Sequence, residues 1–136
     1  MTPTTGETVL SQEECDLLLR LGNVGRVVFV VDGEPYILPV NYSHADGVIV
    51  FRTALGTMLN EVAINRVVFE VDGIDETTRS GWSVIVRGFG RDVTDGVDER
   101  SRKLRELPIE PWAGGERHRW FEILPEEITG RRVGPH

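Results

Sequence analysis

The chain has 136 residues, 40% of them hydrophobic and 27% charged, the size and make-up of one globular domain (1–136) that can bury a core of its own. Its 22 acidic residues outnumber its 15 basic ones, for a net charge of -7, which excludes a broad nucleic-acid or anionic-membrane surface because both need a basic face. A single cysteine, Cys15, excludes an internal disulfide and a thiolate metal site, and His44, His118 and His136 lack ligand spacing, so no metal is expected.

Residues 1–9 read as a loose tail without the basic region and apolar run of a signal peptide, and no segment nears the ~18 apolar residues of a membrane span. A cytoplasmic location is the expectation. Ser11-Gln12-Glu13-Glu14 has the form of a capping box: the Ser11 hydroxyl accepts from the Glu14 amide, and the Glu14 carboxylate reaches back. Leu17, Leu18 and Leu21 give the helix an apolar stripe, and Gly22 is placed to end it.

From Gly25 the pattern turns to strands. Arg26 to Val31 and Pro35 to Tyr42 flank Asp32-Gly33, a pair that tolerates the positive φ of a tight hairpin. Asp46-Gly47 marks a second turn before the strand Val48 to Thr53. Gly56 to Asn65 has helical apolar spacing, and Val67 to Asp72 is a fourth strand. The polar stretch Gly73 to Gly81 reads as a loop. Trp82 to Thr94 is a long fifth strand, with Gly88 and Gly90 suited to a bulge or barrel corner. Val97 to Leu107 is an amphipathic helix stopped by Pro108. After an irregular Pro/Gly loop, Arg117 to Leu124 is a sixth strand ended by Pro125. The expected fold is mainly β: a six-stranded antiparallel split β-barrel with short flanking helices, since closure hides strand edges. The βαβ alternation and the G-x-G-x-x-G loop of a dinucleotide-binding Rossmann fold are absent.

Three segments could carry chemistry. In Arg52-Thr53-Ala54-Leu55-Gly56-Thr57 a forked cation and a hydroxyl end a strand, and Gly56-Thr57 opens a helix whose free amides favour an anion. That is a phosphate seat, or an ordinary strand-turn-helix junction with a surface Arg and a capping Thr. In Pro39-Val40-Asn41-Tyr42, Asn41 offers a donor and an acceptor, as a heteroaromatic ring edge requires, or it satisfies a turn. In Gly81-Trp82-Ser83-Val84, Trp82 is a packing residue or a platform for a ligand.

The ordered series GRVVFVVDGEPYILPVNY, DGVIVFRTALGTML, VVFEVDGID and GWSVIVRGFGRDV resembles the FMN-binding split-barrel family of pyridoxamine 5'-phosphate oxidase. It is most similar to the branch holding nitroimidazole-resistance-like proteins, over about Leu10 to Arg132. The resemblance implies a homodimer with FMN across its interface. It puts the Gly25 to Val28 strand, including Arg26, Val27 and Val28, along the flavin, and Pro39, Asn41 and Tyr42 near its ring. Arg52, Thr53, Gly56, Thr57 and Met58 fall at the phosphate, and Trp82, Ser83 and Val84 contact the flavin from a neighbouring part of the site. Arg131 and Arg132 are a further source of positive charge. One departure from the family pattern stands out: the resemblance implies that relatives usually carry Lys or Arg where this chain has Met58.

The implied function is that of a flavin-binding oxidoreductase reducing a small planar substrate, the flavin doing the redox chemistry. No side chain reads as a convincing general acid or base, so no catalytic residue is assigned. Two alternatives remain. One is a deazaflavin-dependent reductase, which the acidic balance and the lone lysine, Lys103, disfavour. The other is a non-catalytic flavin- or ligand-binding barrel, which Met58 favours. The segment with which the oxidases hold their own substrate is not recognisable, so vitamin B6 oxidation is not expected.

Overall fold

The computed structural model describes residues 6–54, 66–112 and 118–135. Along them run β1 (Glu7–Val9), α1 (Gln12–Leu21), β2 (Val24–Val31), β3 (Glu34–Ala45), β4 (Val48–Ala54), β5 (Arg66–Asp75), β6 (Ser80–Asp92), α2 (Glu99–Leu104) and β7 (His118–Val133). The helix expected from Gly56 to Asn65 lies outside the described residues. None of the described helices is long and apolar enough to cross a membrane.

The six expected strands pair antiparallel in the order β7-β4-β3-β2-β5-β6, and β6 pairs back onto β7, so the sheet closes on itself. A seventh, β1, takes the place of the last part of the expected tail: Glu7 to Val9 pair with Val133 to Arg131. Both predicted hairpin turns form. Asp32 and Gly33 have φ of 51° and 80°, and Asp46 and Gly47 have 51° and 75°. This left-handed pair matches the twist of the flanking strands and costs little at Asp-Gly.

Two strand boundaries differ from the sequence expectation. The stretch Gly73 to Gly81 is not a loop: the β5–β6 ladder runs on to Asp75 opposite Ser80, leaving a turn at 76–79. The Asp75 carboxylate fixes that turn by accepting from the amides of Thr77 (3.0 Å) and Thr78 (3.2 Å). Nor does Pro125 end β7. The register against β6 shifts between Arg87 and Gly88, with Arg87 opposite Glu127 and Gly88 opposite Pro125, so Glu126 is the extra residue of a bulge. Proline lacks an N–H for the ladder, and a bulge is where a strand accommodates it.

Strand alternation fills the interior with Val27, Phe29, Val40, Tyr42, Ile49, Phe51, Phe69, Val84, Val86, Phe121 and Ile123. Helix α1 adds Cys15 and Leu19 to this cluster with Leu18 packed against it, whereas Leu17 and Leu21 of the expected stripe are exposed. Its capping box is present in full, Ser11 and Glu14 exchanging two hydrogen bonds of 3.1 Å. Gly25 leaves room for the Phe69 ring, which would lie 2.1 Å from a Cβ at that position. The second helix is shorter than expected, capped by Asp98 rather than starting at Val97. Leu104 and Ile109 pack with Val48 and Val50 on the outside of the sheet.

A candidate cofactor cleft

The ends of β3 and β4 set out the first two groups. Asn41 and Arg52 are direct cross-strand partners, so both side chains leave the outer face while Tyr42, one residue on, points into the core. Together with Asn23, Pro108, Ile109, Glu110 and Trp112, Asn41 and Tyr42 line a cleft of about 350 Å³. The Asn41 side-chain oxygen accepts from the Trp112 amide at 2.8 Å, which leaves its NH2 as the free end. Trp112 itself is 79% exposed.

Arg52 lies behind this cleft. Its Nη1 donates to the Ile109 carbonyl at 2.8 Å, and its guanidinium sits 5.0 Å from the centre of the Trp120 ring. Its Nε is buried without a hydrogen-bond partner among the described residues. An orphaned donor on a guanidinium costs on the order of 1–3 kcal/mol and is the kind of group an anion satisfies. Thr53, next along β4, is buried. Gly56, Thr57 and Met58 lie outside the described residues.

Tyr42 is a core residue. Its hydroxyl donates to the Leu19 carbonyl at 2.6 Å and its ring packs edge-on against Phe69. Burial pushes its pKa up to about 12, so it stays protonated at neutral pH. Val27 and Val84 are fully buried in the same core. A ligand can meet them only through their backbone.

On the outer face of β2 and β5, Arg26 Nη1 bridges Glu70 and Asp72, 3.0 Å from each. One cation between two carboxylates leaves a deficit. Partial burial, then the neighbouring Asp72, raise the Glu70 pKa to about 7, against the opposing pull of Arg26. Val28 shares this face, and so do Pro39 and Asn41 across the β2–β3 ladder.

Trp82, Ser83 and Val84 stand apart. They are on β6, separated from β3 by β2 and β5, so a single chain does not bring Trp82 to the Asn41 cleft. Sequence reasoning missed Trp112, Ile109 and Asn23. The one signal available was a tryptophan within an irregular Pro/Gly stretch, since such a loop has no period to read.

The sequence model described as pyridoxamine 5'-phosphate oxidase matches residues 11–132. The chain belongs to that family. An uncharacterised Mycobacterium tuberculosis protein is 34% identical over 131 residues, covering 91% of this chain and 84% of that one. Among solved structures, an FAD-binding protein from Mycobacterium smegmatis aligns with a TM-score of 0.77 at 39% identity, covering 94% of this chain and 98% of that one. A putative pyridoxamine 5'-phosphate oxidase from Corynebacterium glutamicum aligns with a TM-score of 0.77 at 28% identity, covering 99% of both chains. Family membership fits the order of strands and the barrel closure described above. It does not by itself assign a reaction, because one fold carries many chemistries.

Proposed function

We propose that this protein is a homodimer that binds a flavin nucleotide between its subunits and uses it to reduce a small planar substrate. The observation that carries the reading is the cross-strand pairing of Asn41, which lines the cleft, with Arg52 behind it, in a chain 39% identical to a protein that binds FAD. When bound, a flavin supplies the hydride or single-electron transfer. The chain's own residues bind and orient. The Asn41 NH2 is a donor for an acceptor on the ring edge, and Arg52 provides positive charge and an unsatisfied N–H for a phosphate.

Between flavins, the reading is FAD rather than FMN. The phosphate of FMN is a terminal dianion, whereas FAD spreads two negative charges over a diphosphate, one on each phosphoryl group. Met58 stands where the family resemblance implies a cation, and its absence costs less beside a phosphoryl group that bears one charge, with the second charge farther off, than beside a dianion. The M. smegmatis structure points the same way. A deazaflavin remains the disfavoured alternative on grounds of charge.

Arg52→Ala is the test. Losing a charged contact of about 1.5–3 kcal/mol weakens FAD and FMN binding roughly ten- to hundredfold. Riboflavin, with the same ring and no phosphate, should bind as before. Equal losses for all three ligands would make Arg52 a structural residue.

A further inference from the structure

A second opening, of about 470 Å³, lies where the β5–β6 hairpin overhangs the barrel, lined by Gly73, Asp75, Ser80, Trp82 and Arg132 among others. That volume is within the roughly 300–1,000 Å³ typical of small-molecule sites. Trp82 is opposite Gly73 on one side and Arg132 on the other, so alternation turns both Trp82 and Arg132 to the same face. A Cβ on Gly73 would fall 2.5 Å from the indole Nε1. Glycine here lets the ring lie down on the β5 backbone, while the rest of Trp82 packs on the core cluster.

The charged residues lining this opening are Asp75 and Arg132. Asp75 is taken up by two turn amides, and the Ser80 hydroxyl bonds that of Thr78 at 2.6 Å. Arg131 is paired with Glu7 at 2.5 Å. Arg132 has no carboxylate within ion-pair distance among the described residues. The carboxylate that feels its charge, Glu14, already serves the Ser11 cap. In a chain of net charge -7, an uncommitted guanidinium beside an aromatic face selects a planar ring that carries an anion.

We propose that this cleft is a nucleotide site that places a purine against Trp82 and a phosphate on Arg132. Two sources share that chemistry: the adenylate end of an FAD held by the protein, and a free nucleotide. The choice of adenylate as probe rests on the flavin reading above, whereas the chemistry of the cleft does not.

The experiment titrates the full-length, cofactor-stripped protein with AMP, FAD and FMN, followed by tryptophan fluorescence and calorimetry. It is repeated on Arg132→Gln and Arg132→Lys, each first shown to melt like the parent. AMP should saturate the parent, bind about tenfold or more weakly to Arg132→Gln, and recover in part with Arg132→Lys. If FAD weakens with AMP while FMN does not, the cleft holds the adenylate end of the cofactor. If AMP alone weakens, the cleft takes a free nucleotide. Failure of AMP to bind at millimolar concentration, or AMP binding that Arg132→Gln leaves unchanged, overturns the proposal. The flavin reading fails separately: it falls if neither flavin binds, even where AMP still binds through Arg132.

Discussion

The Tyr42 hydroxyl donates to the carbonyl of Leu19, in the last turn of α1, where helix carbonyls lack a partner from their own helix. Tyr42→Phe would leave that buried oxygen unsatisfied and should cost about 1–3 kcal/mol in urea unfolding. Flavin affinity per folded molecule should not change; a selective loss of affinity would put the hydroxyl in the site after all. The neighbouring Asn41 does the opposite, facing outward into the cleft. Both were legible in the sequence as a pair near a site, but residue type alone does not say which of two adjacent side chains enters the core. The strand register decides it. The place of Trp112 was not legible, because it depends on a hydrogen bond to a residue 71 places earlier.

At the scale of elements, the hairpins, the first helix and the closing strands followed from local chemistry: Asp-Gly turns, a capping box and alternating β-branched residues. The boundaries that failed are those decided by a distant partner. Pro125 stops a strand read alone, but β7 runs on through a bulge at Glu126, with Gly88 of β6 opposite the proline. A Cβ on Gly88 would lie 2.0 Å from the Leu124 carbonyl oxygen, so Gly88→Ala should destabilise the protein by about 2–3 kcal/mol through forced separation of β6 from β7. An unchanged melting temperature would show that the ladder is looser there than described.

Strand β5 carries a pH dependence. Glu70 has a folded-state pKa raised from 4.5 to about 7, so the folded chain holds that proton more tightly than the unfolded one. Stability therefore falls as pH rises from about 4.5 to about 7 and stays lower above. Glu70→Gln removes this dependence. It should raise the melting temperature near about pH 8, with the gain vanishing toward about pH 4.5. A variant that is less stable at the higher pH would mean that the Arg26 ion pair outweighs the burial and the Asp72 repulsion.

For the whole molecule, the outer face of β2 and β3 is where the separate pieces meet. Val30 and Ile37 there are 56% and 63% exposed, and Val28 and Pro39 lie on the same face beside Arg26. An apolar sheet face of this kind suits a symmetric partner. In the proposed homodimer, a second copy is the source of what a chain's own β6 does not bring to the Asn41 cleft. The sequence carried this only through family resemblance, because neither composition nor periodicity tells an outer face that meets water from one that meets another subunit. The most direct measurement is the visible absorption of the protein as it elutes from a sizing column with light-scattering detection, followed by identification of the ligand released on denaturation. The account predicts a dimer mass coincident with the two-band spectrum of an oxidised flavin, and FAD in the released fraction. A monomer, or a dimer that carries no flavin and takes none up when FAD or FMN is added, would contradict it.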